Sequence, residues 1–413
     1  MKKITIVSGI QLSDNPRVVK EAATLARAGY AVEVLCSLLK PEDELRNRRL
    51  EEAHPFVTRR IVDTSSSETK RRLGWQWARL KRRIVTTVCR RTGRESVAQL
   101  GYAASGLLQT CISRPADLYS LHLPQAMWVG SRLLQRGARV SVDLEDWYSE
   151  DLRAEDLASS PVRLLRENES TVLRGAAFAS TTSHVLSEAL ADCYGCSRPI
   201  VLYNAFSLSE RRPGDLPPHE RPREDPGRAR IGWVSQVIGP DRGLEQLVTA
   251  TQYLRNPVEM HLTGRCRSGM AERLRQKLHP ACGLFFHEQV AHEDLLSLMQ
   301  TYDIGFAGEL AHNRSRSLTV TNKILHYFLA GIPAVASDTL GQLEVCRQAP
   351  EASRVYSQRD ARSLAAAIDS LLENPEVLRR AKQAAWEAGT TRFCWEENAG
   401  RLLACVQNAI GDP

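Results

Sequence analysis

No run of about 20 consecutive apolar residues occurs in the chain, so no segment is long and apolar enough to cross a bilayer as a helix. The N-terminus, MKKITIVSGIQ, has two lysines but only a short apolar run. It reads as a first strand rather than a signal peptide, and the expectation is a cytoplasmic protein. Ten cysteines are scattered without the spacing of a disulfide scaffold. Cys193 and Cys196 form a lone CxxC with no second pair at zinc-site spacing, so reduced thiols are expected and no metal site. The first strand-to-helix turn is Gly-Ile-Gln-Leu-Ser-Asp, and Cys36-Ser37 follow the second strand. A nicotinamide site needs GxGxxG in that turn and an acid after the second strand, so this class is excluded.

What remains is a chain too long for one core. At a prior of about 150 residues per domain, two or three are expected. Hydrophobic residues at 43% and charged residues at 25% are those of a folded protein. The net charge of +7 permits phosphate, nucleic-acid or anionic-membrane partners. Cations concentrate between residues 59 and 94, from Arg59 and Arg60 through Lys70, Arg71 and Arg72 to Arg94. A helix through Trp77, Leu80, Ile84 and Val88 would be apolar on one side and cationic on the other. Such a helix either docks on an anionic membrane surface or packs its apolar side on its own domain. No nucleic-acid module accompanies the charge.

In the first half, Ile4 to Ser8 reads as a buried strand. Asn15 suits a helix cap and Pro16 the first helical position, ahead of an apolar stripe through Val18, Val19, Ala22, Leu25 and Ala26. Ala31 to Cys36 completes a βαβ opening, which implies an α/β fold with a parallel sheet. Further strands are expected at 117–122, 138–144, 178–182 and 199–202. Asn15, His122, Glu145 and Asp146 fall at or beyond the carboxyl ends of these elements, where open α/β sheets bind ligands. His122 is either catalytic or a satisfied structural group.

Residues 207–228 are rich in proline and charge and read as a linker or long surface loop. A second α/β unit follows, with strands at 231–234, 260–263, 284–286 and 303–307. Its central stretch is SRSLTVTNKILHYFLAGIPAVASDTLGQLE, from Ser315 to Glu344. This reads as loop, helix, turn, strand and loop. Thr321 or Asn322 would cap the helix, Gly331 would stop it, and 332–337 would form a strand covered on both faces. A helix start beside Lys323 suits a diphosphate, as does Arg242 at an earlier loop-to-helix turn; both could equally be surface cations. The C-terminal region reads as helices at 361–372 and 375–388 and a last one near 393–406. Two sheets, a polar linker and terminal helices imply two facing domains with a cleft.

Four segments in order, VSGIQLSDNPRVVKEA, GWVSQVIGPDRGLEQLVTA, LTGR and NKILHYFLAGIPAVASDTLGQ, resemble the GT-B glycosyltransferases of the large retaining family 4 (glycosyl transferases group 1). The resemblance implies two Rossmann-like domains: an acceptor-side domain at 1–206 with a basic insertion at about 59–104, the linker 207–228, and a nucleotide-sugar domain at 229–390. It also implies a C-terminal helix in 391–413 packing back on the first domain. The activity implied is retaining transfer of a hexosyl or N-acetylhexosaminyl unit from a nucleotide diphosphate to a hydroxyl, in polysaccharide or glycoconjugate synthesis. No metal or cofactor is implied beyond the nucleotide-sugar donor. The acceptor would be a glycan or lipid-linked molecule, with an anionic membrane surface met through residues 59–94. The resemblance places Gly9, Arg242, Asn322, Lys323 and His326 on the donor, His122 at the transferred sugar, and Asn15, Glu145 and Asp146 on the acceptor side. Arg242 stands where the family usually has lysine. The family's two glutamates are replaced by Leu318 and His326. His326 could still bond a ribose hydroxyl, Leu318 cannot replace a carboxylate, and Glu309 in the preceding loop could reach the site. A nucleotide-sugar epimerase and an inactive nucleotide-sugar binder are the alternatives on the same fold.

Overall fold

Near-continuous apolar strands with helical connections can only pair in parallel, buried on both faces. That is the arrangement found in the computed structural model, which describes residues 1–65, 69–153, 155–212, 215, 217–218, 221 and 228–413. The side chains of Lys70, Arg71 and Arg72 and much of the expected linker lie outside these residues. The chain forms two units: Met1–Thr182 with Leu186–Leu202 and Ala399–Pro413, and Ser183–Val185 with Tyr203–Asn398.

The first domain is built on a seven-stranded parallel sheet ordered β3-β2-β1-β4-β5-β6-β7. Its strands are β1 (Lys3–Val7), β2 (Ala31–Leu38), β3 (Val57–Asp63), β4 (Leu118–His122), β5 (Val140–Leu144), β6 (Phe178–Thr181) and β7 (Ile200–Val201). The helices are α1 (Pro16–Arg27), α2 (Glu44–Ala53), α3 (Thr69–Thr92), α4 (Ala104–Ser113), α5 (Leu123–Leu134), α6 (Val162–Gly175) and α7 (His184–Tyr194). Asn15 caps α1 as expected, accepting from the Val18 N–H at 3.2 Å, with Pro16 first in the helix.

Strand β3 is not apparent in the sequence, because its charges merge with the basic run that follows. Its arginines are matched by acids. Arg59 Nε donates to Glu33 at 2.8 Å, and Arg60 donates to Glu44 at 2.7 Å and Glu51 at 3.3 Å. Arg59 and Arg60 therefore do not belong to the cationic surface expected of residues 59–94. That surface is α3 with Arg94 just beyond it.

The second domain has a six-stranded parallel sheet ordered β10-β9-β8-β11-β12-β13. Here β8 is Ala229–Ile238, β9 Val258–Cys266, β10 Gly283–His287, β11 Ile304–Ala307, β12 Ala334–Ser337 and β13 Ser353–Tyr356. Its helices are α8 (Leu244–Ala250), α9 (Met270–Arg275), α10 (His292–Gln300), α11 (Arg314–Leu318), α12 (Asn322–Ala330), α13 (Leu340–Gln348), α14 (Ala361–Leu372) and α15 (Pro375–Thr391); the last helix, α16 (Trp395–Ile410), starts in this unit and from Ala399 onward belongs to the first. Trp233, Leu247, Phe306, Val335 and Leu364 lie in its core. The structure differs from the sequence reading at three places. Strand β8 runs on through residues expected to be loop, the four-residue edge strand β13 is additional, and the expected loop before α12 contains α11. Asn313 makes α11 by accepting from the Arg316 N–H at 2.8 Å.

The described part of the linker is not a bare tether. Arg211 donates to the Leu329 carbonyl at 2.8 Å and lies 3.3 Å over the Trp386 ring. Arg221 donates to the Ala330 carbonyl at 2.6 Å. These are the last carbonyls of α12, which have no partner within the helix and attract cations.

Ten free cysteines are found, and six of them are buried. Burial pushes the thiol of Cys36 up to about 12.

Helix α12 ends on Gly331 in the left-handed region, φ 71°. A Cβ there would sit 2.6 Å from Pro218 and 3.0 Å from Trp386. Gly331→Ala is expected to destabilise the second domain by about 1–2 kcal/mol, the cost of a left-handed alanine plus local crowding. The midpoint of urea unfolding measures this.

Candidate functional site

Each sheet reverses its winding once, between β1 and β4 and between β8 and β11. At such points successive connections leave in opposite directions and open a crevice at the carboxyl ends of the strands. Gly9 follows β1 with φ 80°, and His122 ends β4. Leu123, immediately after His122, is held at φ 74°, a strained setting for a branched side chain.

Around His122 lies a buried ionic cluster. Arg17 of α1 donates from Nε and Nη2 to both oxygens of Asp143 in β5, each at 2.6 Å, and from Nη1 to the Leu202 carbonyl at 2.8 Å. Ser180 donates to the same carboxylate at 2.5 Å. His122 Nε2 is 3.0 Å from Glu21, and its Nδ1 is 3.6 Å from Asp143. Ser120 donates to Glu21 at 2.5 Å. Burial alone would lower the His122 pKa, but Glu21 and Asp143 outweigh it and raise the pKa. Burial opposes the charge of Asp143 as well, yet Arg17 holds that carboxyl below its ordinary range. Burial raises Glu145, and Asp143 and Asp146 add to the effect against the pull of Arg17.

His122, Asp143 and Glu145 bring donor atoms within 4.8 Å of one another. Both Asp143 oxygens are already taken by Arg17, so a metal ion there would face a guanidinium. This donor set does not fit a metal as arranged.

The second domain presents a more open group. Asp241 at φ 62° and Gly243 at φ 71° flank Arg242 with left-handed backbone, turning the exposed arginine at the entry to α8. At the carboxyl end of β11, Glu309 is fixed by its N–H donating to Ser337 Oγ at 3.0 Å. Gln342 Nε2 donates to the same hydroxyl at 2.7 Å. The Glu309 carboxylate accepts from Lys323 Nζ at 2.7 Å. Lys323 also lies 5.7 Å from the Trp233 ring centre. Thr321 takes the N-cap position of α12 but makes no capping bond, contrary to expectation, and Asn322 is already inside the helix. The first-turn N–H groups of α12 thus have no side-chain cap.

Both predicted histidines are buried. The His326 ring is stacked on Phe206 at 3.8 Å with Nε2 3.8 Å from Glu210. His122 is enclosed at 1% exposure, and Asn15 uses its side-chain oxygen for the α1 cap. Asp146 and Glu145 are half-buried on the loop after β5. Sequence reading missed Arg17, Glu21 and Asp143, although an aspartate inside the apolar strand VSVDL was a signal that a buried cation must exist.

Residues 228–374 match the family Glycosyl transferases group 1. The matched stretch lies within the second domain. Among curated proteins, the chain is similar to an MMP α-(1→4)-mannosyltransferase of Mycolicibacterium hassiacum, 25% identical over 193 residues, or 46% of each chain. The match thus spans less than half of that relative's length. Among solved structures, sucrose-phosphate synthase of Thermosynechococcus elongatus superposes with TM-score 0.69 at 16% identity, over 98% of both chains. HepE of Anabaena in complex with UDP-glucose gives 0.67 at 16% identity, over 98% of this chain and 100% of that one. The fold is therefore that of the GT-B glycosyltransferases.

Removing Arg17 would leave Asp143 buried and unpaired. Arg17→Leu is expected to cost the first domain about 3–5 kcal/mol, read from denaturant unfolding. The cluster also sets a pH window. A depressed Asp143 stabilises above its unfolded pKa of about 3.9, and that contribution is lost as pH falls through its lower folded value. A raised His122 contributes fully below about 6.5, and that is lost as pH rises through its folded value. His122→Gln should flatten the alkaline side of the stability profile and leave the acid side.

Proposed function

We propose that the chain is a retaining glycosyltransferase. It moves a hexosyl or N-acetylhexosaminyl unit from a nucleotide diphosphate to a hydroxyl of a glycan or lipid-linked acceptor, in polysaccharide or glycoconjugate synthesis. The observation that carries this reading is Arg242, exposed between two left-handed residues in the group 1-matched stretch, whose switch point also holds Lys323. HepE, of the same fold, was crystallised with UDP-glucose, which supports a nucleotide-sugar donor.

As the bond from the anomeric carbon to the diphosphate breaks, negative charge builds on the leaving oxygens. Arg242, Lys323 and the uncapped N–H groups of α12 stabilise that charge more than they stabilise the ground state, which is how binding becomes rate. Asn322 adds a polar group at the same helix start. Glu309 holds the Lys323 ammonium in place. The two cations take the part a divalent metal would play, so nucleotide release should persist in the presence of a chelator. Gly9 belongs to the donor side, and Glu145 and Asp146 to the acceptor side, with Asn15 supporting them through its cap on α1. His122 acts as a positioning residue for the β4–α5 turn, through its ion pairs, rather than by touching the sugar.

A thermal-shift screen against UDP- and GDP-sugars is expected to show selective stabilisation by one donor. Arg242→Ala should weaken binding of that donor about 10- to 100-fold, the worth of a charge-assisted hydrogen bond. Unchanged affinity would remove Arg242 from the site. Incubation with donor and acceptor should yield a glycoside of retained configuration. An epimerised sugar nucleotide formed without acceptor, or binding without turnover, would instead identify an epimerase or an inactive binder.

A further inference from the structure

Helix α3 carries two apolar stripes, and its domain uses only one of them. Trp75, Ala78, Arg82, Val85 and Cys89 are half-buried or buried, and they turn toward the domain. Trp75 meets the Tyr102 ring edge-on at 4.7 Å, and the Arg82 guanidinium lies 4.7 Å over the same ring. The second stripe is Trp77, Leu80, Ile84 and Val88, at 65%, 48%, 53% and 50% exposure. At 3.6 residues per turn it lies roughly 130° round the helix from the first.

Four large apolar side chains in one exposed row are not scattered surface residues. They form an exposed apolar face that no other described residue covers. The charge beside them is of one sign. From Thr69 to Thr92 the sequence has nine lysines and arginines and no carboxylate. Lys81 and Arg91 border the exposed row by helical position. Arg79, Arg83 and Arg90, with Thr86 and Thr87, line a groove of about 690 Å³ on its flank.

We infer that α3 is a docking surface for a bilayer containing anionic phospholipid. The helix lies flat, with Trp77, Leu80, Ile84 and Val88 entering the acyl boundary and the arginines reaching headgroup phosphates. A soluble polyanion would answer the arginines but leave the apolar row in water. A neutral apolar partner would answer the row but leave the cations uncompensated. Only a surface that is apolar beneath and anionic above meets both. No described helix is long and apolar enough to cross a membrane, so the contact is peripheral through this helix.

The test is flotation of the full chain with phosphatidylcholine vesicles, with and without phosphatidylglycerol, at low and high salt. Anionic vesicles should bind at least about tenfold more tightly, and salt should weaken this. Neutralising three cations, Lys81→Gln with Arg83→Gln and Arg91→Gln, should lower binding about a hundredfold. Leu80→Glu with Ile84→Glu should lower it at least about tenfold with unchanged thermal unfolding, because both positions are exposed. Equal binding to both vesicle types, no binding, or full binding by the Leu80→Glu/Ile84→Glu variant would overturn the inference. So would binding to heparin without binding to vesicles. Donor affinity in free solution should be the same in all these variants. Failure here is therefore separable from failure of the transferase reading.

Discussion

A guanidinium sealed from water must find every partner inside the protein, and in the first domain Arg17 does so. It spans from α1 to Asp143 in β5 and to the carbonyl of Leu202 just past β7. The remaining bonding capacity of Asp143 is met by Ser180 of β6, with His122 of β4 close by. Four strand ends and one helix are thus fixed by one pair of opposite charges. Charge in such a place is costly unless it is fully paired. Once paired, it fixes which strand end lies beside which more strictly than interchangeable apolar contacts can.

The corresponding place in the second domain is handled differently. Lys323 and Glu309 are also paired, but their side chains are 15% and 8% exposed, against 2% and 3% for Arg17 and Asp143. Arg242 is more open still. The contrast separates two uses of ionic groups at a topological switch point. A cluster closed to water holds architecture together. A cluster still reached by water can exchange its hydration for a ligand.

Much of the second domain was legible in sequence because local signals there agree with the fold. Pro375 and Gly331 mark helix limits where expected, and apolar periods place α12 and α14. Edge strands β3 and β13 escaped notice because they are short or charged, and only pairing with a neighbour makes them strands. His122 was located at a strand end, but its burial was not legible there. Its burial depends on Glu21 and Asp143, about a hundred and about twenty residues away in sequence respectively. Arg17 and Glu21 lie one turn apart beside the apolar stripe of α1, and the stripe alone drew attention away from them. His326 illustrates the same limit. Its stacking on Phe206 is a long-range contact that no local pattern encodes.

The matching of Arg59 and Arg60 by acids has an electrical consequence. Helix α3 carries nine positive side chains, more than the net +7 of the whole chain, so everything outside that helix sums to slightly negative. The molecule is a dipole rather than a uniformly basic body. In a field that varies over a Debye length such an uneven distribution of charge feels a torque as well as an attraction, so an anionic surface would turn the helix toward itself ahead of any short-range fit.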